Sequence, residues 1–227
     1  MNNSHFCLYS NNLFVFSHTI AAELLQGSTH PWEVLPYIAD FIRKIGASLD
    51  PSLYTNMGGD VDVYIAKDAK VAPSAHIEGP CIIGSGAEIR HCAYIRGSVI
   101  VGAGAVVGNS TELKNCILFD AVQVPHYNYV GDSILGYKAH LGAGAVTSNV
   151  KSDKSHVHVK GEDFDVDTGR KKVGAMIGDG VEIGCGAVLC PGTVIGRGST
   201  VYPLVRVRGV IPENHIVKST GLIVPRR

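Results

Sequence analysis

Two cations and one histidine between positions 90 and 130 are the residues best suited to chemistry. Arg96 and Lys114 lie 18 residues apart, and His126 follows in the segment VPHYNYVGDS. A guanidinium and an ammonium held side by side attract a phosphate group. An imidazole can accept a proton near neutral pH. The set predicts a phosphate-binding group near a general base, provided that the fold brings these side chains to one edge.

A six-residue repeat supplies such an edge. From Ile83 onward an aliphatic residue recurs at every sixth position, and a mostly small residue follows four places later. This period fits short strands joined by tight corners, three strands to a coil, with coils about 4.8 Å apart. We therefore expect an all-β parallel β-helix rather than a glycine-rich sandwich. The small positions include Ala87, Ala93, Val99, Ala105, Thr111 and Ile117.

Coils of this length place residues 18 apart in one row. Arg96 and Lys114 should then stack about 5 Å apart, at the spacing of parallel strands. Two stacked cations repel each other. Either a bound phosphate relieves that repulsion, or Asp120, Asp132 or solvent does so.

The same register places His126 at a corner of the coil. After one-residue slips in the repeat, its equivalent one coil earlier is Asn109 and one coil later is Ala143. Ala143 lies in the turn Gly142–Ala143–Gly144, where small residues let a backbone N–H group approach a ligand closely.

The segments that flank the repeat have a different character. SHTIAAELLQG (17–27) and PWEVLPYIADFIRKIGASL (31–49) show helical spacing, with Ser17 as an expected N-cap and Pro31 in a first turn. We expect a helical cap over residues 1–60 packed on the first coil, a β-helix over 61–217 and a tail over 218–227. Residues 147–175 interrupt the repeat, and HVHVK and DFDVD alternate around GE, which predicts a protruding hairpin.

Composition excludes several classes of function. Twenty basic and twenty acidic residues cancel, so no overall field favours nucleic acid or an anionic membrane. No apolar run approaches the roughly 20 residues of a membrane span, and we find no secretion signal. The six cysteines form no CxxC pair. We therefore expect reduced thiols and a cytoplasmic protein.

The segment VPHYNYVGDSILGYKAHLGAGAVTSN resembles the hexapeptide-repeat acyltransferases. It is most similar to the acetyltransferase half of bacterial N-acetylglucosamine-1-phosphate uridyltransferase and to archaeal sugar-1-phosphate acetyltransferases. The resemblance covers roughly residues 65–217 and is specific from 90 to 150. It implies a left-handed β-helix, a homotrimer, and acetyl-CoA-dependent N-acetylation of an amino sugar phosphate (glucosamine-1-phosphate or galactosamine-1-phosphate type) in UDP-N-acetylhexosamine synthesis.

The resemblance also implies roles for particular residues. His126 matches the catalytic base, and Ala143 matches a residue whose backbone meets the thioester. Acetyl-CoA would lie along the edge formed by Ala143, Cys185 and Pro203. The positions that match the sugar and phosphate site are Arg96, Lys114, Tyr129, His140 and Asn149, with Lys154, or alternatively Lys151, near the end of the match. The family usually has Asn where His140 stands.

Other interpretations stay open at this point. The nucleotidyltransferase half of that family has no counterpart here, so we expect no uridylyl transfer by this chain. A non-catalytic trimer that binds a sugar nucleotide and partners a separate nucleotidyltransferase would keep the two cations without needing His126.

The run GRKK (169–172) is either a phosphate-binding group or a solvated face. A metal enzyme like the γ-class carbonic anhydrases would need converging histidines, but the spacing does not match and we predict no metal; the available histidines are His126, His140, His156 and His158.

Overall fold

The chain folds into a parallel β-helix with three faces. A computed structural model describes residues 5–57 and 62–226. The expected domain boundary at residues 60 and 61 therefore lies outside the described residues. Two strands, Glu112–Leu118 and Tyr129–Leu135, bend around a corner, so each belongs to two faces.

Each face is a ladder of short strands paired in register. The first face contains Lys70–Val71, Glu88–Ile89, Val106–Asn109, Gln123–His126, His140–Leu141, Glu182–Ile183, Thr200–Val201 and His215–Val217. The second contains His76–Glu78, Tyr94–Arg96, the starts of the two bent strands, Val146–Thr147, Val188–Leu189 and Arg206–Val207. The third contains Val63–Ala66, Cys81–Ile83, Val99–Val101, the ends of the two bent strands, Ala175–Ile177, Thr193–Ile195 and Val210–Ile211.

The pairing register confirms the inward aliphatic positions and corrects one small position. Val99 pairs with Cys116, so Cys116 and not Ile117 occupies the inward small site. This coil is one residue shorter than the coil before it. The shortened corner lies at Asn115, whose backbone is in the left-handed region at φ 48°. The slip therefore comes earlier than the sequence pattern alone indicates.

A second apolar column runs along the outside of the third face. Its members alternate with the inward residues and pair in register from coil to coil. Apart from Tyr64, each is at most 1% exposed. The column consists of Tyr64, Ile82, Ile100, Ile117, Ile134, Met176 and Val194. Apolar side chains on both sides of a strand require a cover on both sides.

The N-terminal segment provides that cover. It forms α-helices at Ser10–Leu13, Ala22–Gln26 and Ile38–Gly46 and 3₁₀ helices at His5–Leu8, Phe16–His18 and Pro31–Tyr37. The helix Ile38–Gly46 contacts the early third-face strands, and His5–Leu8 contacts Thr193–Ile195 several coils further on. The segment thus lies along the third face rather than on the first coil alone.

Two local expectations for this segment are changed by the structure. Ser17 is not an N-cap, because the α-helix begins only at Ala22 and has no side-chain cap. Pro31 does begin a helix, but that helix is of the 3₁₀ type and contains Pro36. Proline has no N–H group to donate within a longer α-helix.

Asp179 fastens the segment to the coils, because its carboxylate accepts the N–H groups of Val15 and Tyr137, each at 2.8 Å.

The interruption between the second and third faces contains the hairpin that the alternation predicts. His158–Lys160 and Asp165–Asp167 pair antiparallel. Val157 and Val159 are fully buried, so the hairpin packs along the later coils instead of protruding from them. A neck closes the excursion, where Val150 and Lys172 form an antiparallel bridge.

Antiparallel strands flank the β-helix at both ends. Tyr54–Asn56 pairs with Val63–Ala66, and Ile223–Pro225, within the expected tail, pairs with the last first-face strand. In the part of the chain that the structure describes, none of the helices has the length and hydropathy needed to cross a membrane.

Two valines test whether the helices stabilise the third face. Val194 points outward from the third face and is fully buried, whereas Val188 points outward from the second face and is 37% exposed. We expect Val194→Ala to lower the free energy of unfolding by about 2 kcal/mol, because it leaves a cavity beneath the helices. Val188→Ala should change it by less than about 0.5 kcal/mol. Urea denaturation measures both, and equal losses would contradict the covered face.

Candidate active site

The corner between the first and second faces carries one continuous column of the predicted site residues. Asn109 pairs with His126, and the Gly144 N–H group donates to the His126 carbonyl at 3.1 Å. The later coils keep the same register through Leu141, Ile183 and Val201. The column reads Asn109, His126, Ala143, Cys185 and Pro203. The structure therefore brings together the predicted base and the predicted coenzyme edge.

Two groups in this column are available to a ligand. The His126 side chain is exposed, and its imidazole has no hydrogen-bond partner among the described residues. The backbone N–H group of Ala143 likewise has no acceptor within the described ranges. A free base and a free N–H donor on neighbouring coils are the two elements that proton removal and oxyanion stabilisation require.

A buried asparagine holds this corner in place. Asn128 is 2% exposed, and its side-chain oxygen accepts the His126 backbone N–H at 3.1 Å. Its amide nitrogen donates to the carbonyls of Gly142 at 2.8 Å and Ala145 at 3.0 Å. Asn128 thereby ties the turn at His126 to the turn at Ala143. Sequence reasoning missed Asn128. The available signal was an amide side chain at an inward position that holds small or apolar residues in other coils.

The second face carries the predicted phosphate and sugar residues, organised by one carboxylate. Asp132, whose side chain is 3% exposed, lies 3.1 Å from the Lys114 ammonium. Asn149 donates its amide nitrogen both to Asp132 and, at 3.2 Å, to the Tyr129 hydroxyl. Asn115 donates to Asp132 at 2.8 Å. Lys114, Tyr129 and Asn149 thus form a single hydrogen-bonded group, the Asp132 cluster, named for the residue at its centre.

Each of the two stacked cations has its own carboxylate partner. Arg96 and Lys114 occupy the row one step beyond the pair Ile95 and Leu113, as the repeat predicts. The Arg96 guanidinium lies 2.6 Å from Glu112, and Lys114 bonds to Asp132. Asp120 instead accepts the Ala103 N–H group at 2.7 Å. Repulsion between the cations is therefore relieved within the chain, and their stacking alone does not call for a bound phosphate.

The packing around Tyr129 leaves no room for a side chain beneath it. A Cβ atom at Gly131 would lie 2.4 Å from the Tyr129 hydroxyl oxygen and 2.9 Å from the Asn149 amide nitrogen. Burial, and next the negative charge of Asp132, raise the pKa of Tyr129. Tyr129 is thus a neutral hydroxyl suited to hydrogen bonding with a polar ligand.

The remaining predicted residues lie apart from these two groups. His140 is on the first face, where its Nδ1 lies 2.7 Å from Glu182 on the next coil. Lys154 is exposed in the excursion, and Lys151 bonds to Ser155 and to the His156 carbonyl. Neither lysine bonds to the Asp132 cluster within the described ranges.

Of the four histidines weighed as metal ligands, all but His126 lie beside a carboxylate. His140 lies beside Glu182, His156 lies 3.2 Å from Asp167, and His158 lies 2.6 Å from Asp165 across the hairpin. Within residues 5–57 and 62–226, no group of three His, Cys, Asp or Glu side chains is arranged to hold a metal ion. All six cysteines, which lie in these ranges, are free thiols.

Two family models match the β-helix. Residues 174–209 match the bacterial transferase hexapeptide model of six repeats. Residues 77–170 match the model described as the GMPPB C-terminal domain. Residues 174–209 are therefore similar to the hexapeptide repeat of bacterial transferases, and the fold is the left-handed parallel β-helix.

Curated relatives are bifunctional proteins about twice as long. The chain is 33% identical, over 87% of its length and 48% of the relative, to the bifunctional protein GlmU of Methanococcus maripaludis. It is 35% identical, over 42% of its length and 24% of the relative, to a bifunctional sugar-1-phosphate nucleotidylyltransferase/acetyltransferase of Sulfurisphaera tokodaii. The chain thus spans about half the length of the GlmU relative that it matches.

Solved structures to which this chain is similar include an acetyltransferase domain. The acetyltransferase domain of PglB from Neisseria gonorrhoeae, in complex with acetyl coenzyme A, is 22% identical with a TM-score of 0.42. The match covers 83% of this chain and 67% of that chain. Acetyl coenzyme A is bound to that domain, and at this low sequence identity it is not assigned to this chain.

Two carboxylates of the second face test the organisation of the site. Asp132→Asn removes a nearly buried charge that Lys114 contacts, and we expect it to cost about 2–3 kcal/mol of unfolding free energy. Glu112→Gln breaks the more exposed pair with Arg96 and should cost less than about 1 kcal/mol. Urea denaturation compares the two, and a cost for Asp132→Asn no larger than that of Glu112→Gln would show that Asp132 does not organise the cluster.

Proposed function

We propose that this protein is an acetyl-CoA-dependent N-acetyltransferase that acts on an amino sugar phosphate. The observation that carries the proposal is the corner column, in which the exposed imidazole of His126 lies one coil from the free N–H group of Ala143. The kinship with GlmU and with a sugar-1-phosphate nucleotidylyltransferase/acetyltransferase supports the same reaction.

The proposed reaction is a direct transfer. His126 takes a proton from the sugar ammonium, and the freed amine attacks the thioester carbon. A C–N bond forms as the C–S bond breaks, and coenzyme A leaves as a thiolate, which takes the second proton that the nitrogen loses as it becomes an amide. The Ala143 N–H group stabilises the oxyanion that develops on the carbonyl oxygen. No covalent intermediate on the enzyme is needed, so the cysteines take no part in the transfer.

The second face would hold the acceptor. Lys114 and Arg96 supply an ammonium and a guanidinium group, and a phosphate dianion can bind to both. Tyr129 and Asn149 present a hydroxyl and an amide for the sugar hydroxyl groups, already oriented by Asp132. His140 could contact the sugar only from the neighbouring first face. These contacts would decide whether the glucosamine or the galactosamine form binds.

Acetyl-CoA would lie along the corner column. Beyond Ala143 the column continues through Cys185 and Pro203, both exposed. The turns beside them are small, as at Gly184 and Gly186. The coenzyme arm could therefore run parallel to the β-helix axis with its thioester at Ala143.

A homotrimer belongs to the same proposal. A flat β-helix face can be buried by threefold packing, and each site would then lie between two subunits. In that assembly Lys154 or Lys151, which lie apart from the cluster within one chain, could reach the site of a neighbour. Light scattering of the purified protein measures the subunit number.

Replacement of His126 tests the proposed base. We expect His126→Ala to lower kcat for acetyl transfer by at least about 100-fold, since general base catalysis contributes that much. Binding of coenzyme A should stay unchanged, because the column N–H groups remain. Release of the CoA thiol, measured with glucosamine-1-phosphate and galactosamine-1-phosphate, gives the rate. Retained turnover would contradict the assignment.

A matched control exists two coils earlier. His91 occupies the equivalent corner position next to Asn109, and its Nδ1 lies 2.6 Å from the Ser74 hydroxyl. His91→Ala should leave the rate within about twofold of the unmodified protein. If the unmodified protein released no CoA with any amino sugar, the alternative of a non-catalytic sugar-nucleotide-binding protein would take the place of the enzyme.

A further inference from the structure

A cleft beyond the Asp132 cluster has no role in the reaction described so far. It lies where the corner between the second and third faces meets the end of the excursion and the N-terminal helices. Its volume is about 500 Å³, within the usual range for small-molecule sites. We name it the RKK cleft, and its lining includes Leu35, Pro36, Ala39, Lys114, Asp132, Arg170, Lys171 and Lys172.

Positive charge dominates the RKK cleft. Four of its lining residues are cations and one, Asp132, is a carboxylate. That carboxylate is already bonded to three neighbours. Lys171 and Lys172 are exposed and form no ion pair within the described ranges. The cleft therefore has a surplus of cations that nothing in the described chain neutralises.

Arg170 adds a second, independent observation. Its Nε atom is buried and has no hydrogen-bond partner among the described residues. A buried guanidinium nitrogen without an acceptor is costly. The charge of an anionic ligand in the cleft would offset part of that cost.

Part of the lining of the RKK cleft is apolar. Leu35, Pro36 and Ala39 come from the N-terminal helices, and Pro36 is exposed. A ligand that bears phosphates together with a flat or apolar group matches a lining of cations and apolar side chains. A sugar monophosphate lacks the second group, whereas a nucleoside diphosphate has it.

We infer that the RKK cleft binds the diphosphate and nucleoside of a nucleoside-diphosphate amino sugar. This inference rests on the proposed function and specifies its acceptor as the nucleotide-linked form. The sugar lies at Tyr129 and Asn149, the diphosphate continues past Lys114 to Lys171 and Lys172, and the nucleoside packs on Pro36. Because the cations are exposed, binding weakens as salt increases.

The test compares two double variants with equal loss of charge. Lys171→Met with Lys172→Met removes cations of the cleft. Lys67→Met with Lys70→Met removes two exposed lysines on the first coils and serves as the control. Calorimetric titration with UDP and with GDP measures nucleotide binding without any need for turnover. Initial rates give KM for the nucleotide-linked amino sugar, the amino sugar 1-phosphate and acetyl-CoA.

We expect the cleft variant to bind at least one of the two nucleotides about tenfold more weakly and to raise KM for the nucleotide-linked acceptor by a similar factor. KM for the 1-phosphate and for acetyl-CoA should stay within about twofold, and the control should match the unmodified protein. Absence of UDP and GDP binding, equal losses in both variants, or a rise in KM for acetyl-CoA would overturn the inference. If nucleotide binding depends on the cleft but no acceptor is acetylated, the cleft assignment stands and only the proposed function is refuted.

Discussion

Neighbouring coils approach so closely at some corners that one added methyl group would overlap the next backbone. A Cβ atom at Gly108 would lie 1.5 Å from the Pro125 carbonyl oxygen, and one at Gly102 would lie 2.4 Å from the Phe119 carbonyl carbon. This contact limits how far neighbouring coils can shift where it occurs. The columns of the molecule, including the one that joins His126 to Ala143, then follow from the register in which the strands pair. Polar contacts such as those of Asn128 then add rigidity at single points.

The repeat was sufficient to predict the β-helix and the stacking of two pairs of candidate residues. The predicted stacking of Arg96 on Lys114, and of His126 on Asn109, needed only the coil length and the positions of the slips. The hairpin in the excursion followed from alternation over a few residues. These predictions hold because they depend on local spacing, which a parallel ladder converts directly into proximity.

Features that depend on contacts between distant segments could not be read from the same pattern. The apolar column through Ile100 and Val194 follows strand alternation, but nothing local indicates that the N-terminal helices cover it. Likewise, Glu112 and Asp132 neutralise the stacked cations through side-chain conformations that the spacing leaves open. The early slip at Asn115 depends on a left-handed backbone conformation, which asparagine tolerates but does not require.

The neck of the excursion has a consequence for how such a protein can change. The chain leaves the β-helix after Thr147 and rejoins it at Ala175, and the bridge between Val150 and Lys172 brings the two ends together. Insertions at the tip of the hairpin, beyond the buried Val157 and Val159, would leave the stacking of the coils intact. Arg170 and Lys171 lie within the excursion, whereas His126 belongs to the uninterrupted coils. If the two proposals hold, the residues for the nucleotide and the residue for proton transfer lie in separable stretches of the gene, and one stretch can diverge while the other stays fixed.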